Sequence, residues 1–92
     1  DLVLQFRATM EALSREDIPA SERVTLLTSL SDSYNKAISA NKKLLPETSR
    51  LAVALEVLEK LAGWLKTKRP ELLGAFLDEL EPFGAMLEKE LK

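Results

Sequence analysis

Two long apolar-periodic runs meet in SERVTLLTSLSDSYNKAISANKKLLPETSRLAVALEVLEKLAGWLKTKR, residues 21–69. Their meeting point is LLPETS, residues 44–49, where Pro46 lacks the backbone N–H that a helix interior requires. Each run keeps its apolar residues at three- and four-residue spacing for more than 20 residues, which predicts a long helix. We therefore expect helices over about 20–45 and 47–69, joined as an antiparallel hairpin.

Shorter apolar-periodic segments flank this hairpin. Residues 2–16 have the same spacing and predict an N-terminal helix. After Pro70 the pattern predicts two more helices, over about 71–81 and 83–91, because Pro82 should break or kink the chain. No strand pattern is present. The sequence thus predicts an all-α single domain over residues 1–92: a long antiparallel helical hairpin, a flanking N-terminal helix and a kinked C-terminal helical segment.

The composition excludes several classes of function. The chain has no cysteine and no histidine, so it lacks thiolate chemistry, the commonest general base and the commonest metal ligand. Its net charge of −2 provides no overall basic field for nucleic acid. No apolar run approaches the ~18 residues of a membrane span, and the three glycines are isolated, so no phosphate-binding loop is present. We expect no catalytic residue, cofactor or metal, no membrane contact, and a cytoplasmic protein that is not an enzyme.

Each of the two long helices carries a second apolar stripe beside its first. A helix on the surface of a domain needs only one such stripe. In the middle of a small bundle, the second stripe would touch another helix of the same chain. In an oligomer it would touch another subunit, and a 92-residue chain has few internal partners. We interpret the second stripes as an oligomer interface, with these candidate residues: Leu26, Leu30, Ala37, Ala40, Leu44, Val53, Val57 and Trp64.

Several strings of the sequence resemble one protein family. They are LLTSLSDSYNK (26–36), LLPETS (44–49), ALEVL (54–58) and LEPFG (80–84). These strings are similar to those of a family from Mu-like transposable bacteriophages and prophages, often labelled as of unknown function or as a small terminase subunit. The resemblance covers about residues 2–90. The strings are typical of the family but are not chemical motifs, so no functional residue can be transferred from them.

The resemblance implies a role in phage DNA packaging. Small terminase subunits recognise phage DNA, assemble into rings and recruit the large subunit, which carries the ATPase and nuclease activities. In that family a helix-turn-helix segment precedes this region, and the chain opens on Asp1 rather than Met. We therefore expect the C-terminal helical part of a longer protein in the bacterial host cell. Its expected partners are further copies of itself and the large terminase subunit, with DNA bound by the preceding segment rather than by these residues.

Two other functions stay open from the sequence. The first is the dimerisation module of a phage or prophage transcription regulator, which would also combine a helix-turn-helix with a helical module. A dimer that matches palindromic half-sites would favour that function, whereas a higher-order ring would favour the terminase. The second is a monomeric helical adaptor that presents Trp64 to a partner helix.

Overall fold

The computed structural model describes residues 1–40 and 45–91, and its regular structure over these ranges is entirely helical. The helices are α1 (Leu2–Leu13), α2 (Ala20–Ala40), α3 (Pro46–Lys68) and α4 (Pro70–Glu90). The predicted all-α class is therefore confirmed. Of the predicted end of the second helix, residues 41–44, which include Leu44, lie outside the described residues. Leu45, the predicted last residue, is extended rather than helical because it precedes Pro46.

Local chemistry accounts for where the helices begin. A side-chain oxygen of Asp1 accepts hydrogen bonds from the backbone N–H groups of Val3 (2.8 Å) and Leu4 (3.2 Å), which caps the start of α1. Pro46 and Pro70 each occupy the first position of a helix, where a backbone N–H would have no acceptor within the helix. Proline therefore costs no helical hydrogen bond there. The prolines therefore start α3 and α4 and also separate them from the helices before.

The sequence predicted a break or a kink at Pro82. The break is wrong, because α4 continues through this residue as one helix. An interior proline leaves the carbonyl oxygen four residues earlier, that of Asp78, without its helical donor, and costs about 3 kcal/mol relative to alanine. The apolar face of α4 is nevertheless buried on both sides of the proline, at Leu80 before it and Gly84 after it. Burial of this continuous face outweighs the local cost, and Pro82 itself is exposed.

The core lies where the four described helices meet. Helix α2 packs against α3, α3 against α4, and α1 against both α2 and α4, while α2 also contacts α4. The domain measures 40 × 21 × 20 Å. Its buried apolar residues are Phe6, Met10, Leu13, Leu27, Leu30, Tyr34, Leu51, Ala52, Leu55, Leu58, Ala62, Leu65, Leu73, Leu77 and Leu80. Every described helix contributes to this core, so α1 is an integral part of the domain.

Close contacts hold α1 against α2 on one side and against α4 on the other. The rings of Phe6 and Tyr34 pack edge to face, with centroids 6.4 Å apart, and the Tyr34 hydroxyl donates to the carbonyl oxygen of Leu2 at 3.3 Å. On the other side, α1 approaches α4 at Gly84. A Cβ atom at Gly84 would lie 2.6 Å from the sulfur of Met10, so the absence of a side chain there permits the close packing.

Candidate interaction surface

The outer face of α3 carries an apolar stripe in solvent. Val53, Val57 and Trp64 are 62%, 60% and 56% exposed, although apolar residues of these sizes are usually buried. Their spacing of four and seven residues places them on one side of the helix. The opposite side of α3 packs into the core through residues such as Leu55 and Ala62. We call Val53, Val57 and Trp64 the α3 ridge.

Cations surround the C-terminal half of the α3 ridge. Lys60 and Lys68 lie four residues before and after Trp64, so both flank its indole on the same face. Residues 60–69 contain four cations and no carboxylate. Lys60 forms a loose pair with Glu56 at 3.8 Å, as expected for residues four apart on an exposed helix. The exposed face around Trp64 therefore carries two lysines, and one of them, Lys60, is paired with Glu56. Lys66, two residues after Trp64, lies on the opposite side of the helix.

The last of these cations is held at the start of α4. The guanidinium of Arg69 donates to the carboxylate of Glu71, and this hydrogen bond lowers the pKa of that carboxyl. Both side chains are more than half exposed, so solvent screens the pair. Lys66 and Lys68 lie in the last turn of α3, where cations interact favourably with the helix dipole.

An apolar groove lies between α3 and α4, next to the α3 ridge. It has a volume of about 540 Å³, within the range of about 300–1,000 Å³ that binds drug-sized groups. Its lining residues are Leu58, Leu61, Phe76, Glu79, Leu80, Pro82, Phe83 and Met86. Leu61, Phe83 and Met86 are each about 40% exposed, and Glu79 is the one charged residue in the lining. We call this feature the α3–α4 groove.

The α3–α4 groove exists because α4 does not stop at Pro82. Phe76, Leu80 and Phe83 follow one another at four- and three-residue spacing, and a helix that continues through residue 82 places them on one face. Because the sequence predicted a break or a kink at residue 82, it did not predict that Phe83 and Met86 would line a groove with residues of α3. The uninterrupted spacing across Pro82 is the signal that could have revealed the groove.

A second apolar depression extends the same surface toward the C-terminal end of α4. It is lined by Ser49, Arg50, Val53, Ala54, Leu87 and Leu91 and has a volume of about 530 Å³. Val53 belongs both to this depression and to the α3 ridge. The exposed apolar surface therefore follows most of the length of α3 and α4.

The structure separates the sequence-predicted interface residues into two groups. The three candidates on α3 lie together as the α3 ridge. On α2, Leu26 is 37% exposed, Ala37 is half-buried, and Ala40 is exposed. The surroundings of Ala40 are polar, formed by Asp32, Asn35, Lys36 and Ser39. The candidate Leu44 lies outside the described residues.

One candidate must be withdrawn. Leu30 is 2% exposed and belongs to the core of its own chain, so its surface cannot contact another subunit in the folded domain. The physical reason is that α2 contacts three other helices. Its buried face is therefore wide enough to include both apolar stripes at the position of Leu30. For Leu30 the internal-bundle interpretation of the second stripe is therefore correct.

Neither a metal centre nor a membrane segment is found within residues 1–40 and 45–91. No three carboxylates in these ranges are grouped closely enough to hold a metal ion. Every helix there is too short or too polar to span a bilayer.

These features define a class: a small all-α domain, with four helices in its described part, and an exposed apolar surface along α3 and α4. Residues 1–90 match the model of the DUF1804 family, and the chain belongs to this family, which is described as a protein of unknown function. No curated protein and no solved structure matches the chain. The family description states no activity, so function must be inferred from the surface.

Proposed function

We propose that this domain is a non-catalytic self-association core of a phage DNA-packaging protein of the small terminase type. The observation that carries self-association is the α3 ridge, where three apolar side chains lie more than half exposed on one face of one helix. Exposed apolar side chains grouped on one face of a helix are typical of interaction sites in soluble proteins. The packaging role is supported by the sequence resemblance to the Mu-like phage family.

The energetics indicate that the α3 ridge needs additional surface to form a stable contact. Full burial of one large apolar side chain contributes about 1.5–3 kcal/mol. Because the three ridge residues are already partly buried, covering them contributes roughly 3–5 kcal/mol per copy. Association costs about 4–15 kcal/mol in lost translational and rotational freedom. The neighbouring α3–α4 groove supplies further apolar area, and Leu26, Ala37 and Ala40 on α2 are secondary candidates.

In this proposal, α2 and α3 form the antiparallel hairpin of each subunit, and α4 bends at Pro82. The assembled domain helps to recruit the large terminase subunit in the bacterial cytoplasm. DNA is recognised by a helix-turn-helix segment that precedes these residues. The domain itself contributes assembly rather than catalysis.

The solution mass of the domain tests the proposal. Light scattering behind a sizing column, over a series of protein concentrations, should give an assembly of several chains. Val57→Glu should lower this mass and leave the helical circular dichroism unchanged, because Val57 is 60% exposed and contributes little to the core. Val3→Glu is the matched control, since Val3 is an exposed valine on α1, 46% exposed. Leu30 is unsuitable for this test because a charge there would unfold the core.

The outcomes separate the possible functions. A mass that grows beyond two chains supports the terminase-type core. A dimer that does not grow would favour the dimerisation module of a transcription regulator. A monomer at every concentration would contradict self-association and favour the adaptor.

A further inference from the structure

We propose that the α3 ridge of one copy packs into the α3–α4 groove of a second copy, so that subunits associate head to tail. This inference rests on the proposed self-association and specifies which surfaces meet.

The shapes of the two surfaces permit this contact. The α3 ridge projects from the outside of one helix, whereas the α3–α4 groove is a concave site between two helices. The two sets of residues do not overlap, since Val53, Val57 and Trp64 are absent from the groove lining. The proposed contact therefore requires no residue to serve in both the ridge and the groove of one copy.

Charge distinguishes this contact from a ridge-on-ridge dimer. Helix α3 (Pro46–Lys68) has four cations and three carboxylates, whereas α4 (Pro70–Glu90) has six carboxylates and one lysine. Packing two α3 ridges together brings the lysines beside each Trp64 toward one another, which is unfavourable. Three of the α4 carboxylates are paired with arginines of their own chain, but Glu79 lines the groove, so packing the ridge against α4 brings a lysine to an opposite charge. Complementary charge therefore favours a second copy, bound through its ridge, as the occupant of the groove.

The chemistry of the groove fits Trp64 and its flanking lysines. Phe76, Phe83 and Met86 offer two aromatic rings and a thioether, groups that pack favourably against an indole. Glu79, the charged lining residue, needs a cation once the groove is covered. Lys68 lies one turn beyond Trp64 and is the expected partner of Glu79 in the second copy. Lys60 is already paired with Glu56 in its own chain. The expected contact between subunits is therefore Lys68 with Glu79.

A head-to-tail contact has a consequence for assembly. Each added subunit leaves one free ridge and one free groove, so the assembly either closes into a ring or extends as a filament. A self-complementary contact would instead stop at two subunits. The geometry of the contact thus determines whether the mass can grow beyond a dimer.

A mixing experiment with two surface variants tests the inference. Val57→Glu blocks the ridge and keeps the groove, and Phe83→Glu blocks the groove and keeps the ridge. Each variant alone should be monomeric. Mixed in equal amounts, they should form a complex of one copy of each that does not grow, and native mass spectrometry distinguishes the two chains by mass. Leu72→Glu is the control, because Leu72 is 44% exposed on α4 but does not line the groove, and it should assemble like the original chain.

Exchanging the charges of Lys68 and Glu79 tests whether these two residues pair between subunits. Glu79→Lys and Lys68→Glu should each raise the dissociation constant about tenfold or more, since each places like charges together. The two substitutions combined should restore most of the original affinity. If the combined variant is no tighter than either single variant, Lys68 does not pair with Glu79.

The outcomes for the contact and for self-association can be separated. If Phe83→Glu assembles like the original chain, or if the two blocked variants fail to combine, the head-to-tail contact is wrong. Self-association would still hold in that case, provided that the original chain assembles and Val57→Glu does not. A monomeric original chain would contradict both.

Discussion

The guanidinium of Arg23 lies 3.1 Å from the carboxylate of Asp78, and this pair links α2 to α4 across 55 positions of the sequence. The same nitrogen, Nη1, donates to the carbonyl oxygen of Leu13 at the end of α1, also at 3.1 Å. The Arg23 side chain is only 8% exposed. One buried cation therefore joins three helices. Its Nη1 has two acceptors, which offset part of the loss of water around its charge, whereas its buried Nε has no hydrogen-bond partner.

Removing the carboxylate should leave this cation without its counter-charge. We expect Asp78→Ala to lower the free energy of unfolding by about 1.5–3 kcal/mol, the usual range for a hydrogen bond to a charged group. The measurement is urea denaturation followed by circular dichroism. Arg15→Ala is the matched control, because Arg15 forms an exposed pair with Asp17 and such pairs contribute about 0–1 kcal/mol. Equal effects of the two substitutions would show that the Arg23–Asp78 pair stabilises the fold no more than an exposed pair does.

Gly84 should resist substitution by alanine, unlike another glycine of the same helix. Alanine in a helix is normally stabilising by about 0.5–1 kcal/mol relative to glycine. At Gly84 the new Cβ would lie 2.6 Å and 2.8 Å from two atoms of buried Met10, and overpacking of this kind costs about 1–3 kcal/mol. Gly84→Ala should therefore be less stable than Gly74→Ala, where no atom beyond the adjoining residues and the backbone of the same helix lies within 4 Å of the added carbon. Thermal unfolding of both variants gives the comparison, and equal stability would mean that Met10 moves aside at no cost.

The sequence predicted the helical class and most of the long helices because their apolar spacing is a local property. Pro46 and Pro70 were predicted to stop helices, and α3 and α4 do begin at these residues. The α3 ridge could also be identified, because Val53, Val57 and Trp64 lie on a different side of α3 from its leucine-rich face. Local periodicity was sufficient for these features.

Features that depend on packing between helices could not be predicted in this way. Whether Leu30 is buried depends on how many helices surround α2, and the sequence of α2 does not contain that information. Whether Pro82 breaks α4 depends on a balance between a local cost and burial against α1 and α3. The partner of Arg23 is 55 positions away, and no short-range pattern indicates it.

Pro82 offers a direct test of that balance. If tertiary burial holds α4 together in spite of the proline, Pro82→Ala should remove a local cost and raise the free energy of unfolding by about 1–3 kcal/mol. Pro82 is exposed, so the substitution creates no cavity in the core. Chemical denaturation gives the value, with Pro70→Ala as the control at a first helical position, where proline is well tolerated and the gain should be small. A loss of stability in Pro82→Ala would show that the proline is itself favourable in the native helix.

Tyr34 should make the fold sensitive to alkaline pH. Burial of the phenol, with a smaller effect from the negative charge of Glu88, raises the pKa of Tyr34 to about 12, above its ordinary value of 10.0. The folded state therefore keeps this proton at pH values where the unfolded state has lost it. The resulting stabilisation is complete below the pKa that Tyr34 has in the unfolded chain. It is lost as the pH rises to the pKa of Tyr34 in the folded state, so the free energy of unfolding should fall between pH 10 and 12.

Comparison with Tyr34→Phe isolates this effect from the lysines that titrate over the same range. The variant should show a shallower loss of stability in urea denaturation from neutral pH to about pH 12. Tyr34 is the one tyrosine of the sequence, so ultraviolet absorbance of tyrosinate reports its ionisation without interference. Ionisation of the native protein near the ordinary pKa would mean that the phenol is accessible to water.

Trp64 should report assembly through its own fluorescence. It is the one tryptophan of the sequence and is 56% exposed in the single chain, so its emission at low concentration should be that of an indole in contact with water. If the α3 ridge packs into a groove lined by Phe76, Phe83 and Met86, the emission should shift to shorter wavelength as the concentration rises. Quenching by acrylamide should weaken over the same range in which light scattering records the increase in mass.

Phe83→Glu should keep the water-exposed emission at every concentration, because the groove that would receive Trp64 is blocked. A rise in mass with unchanged emission and quenching would exclude Trp64 from the contact and place the interface elsewhere on the domain.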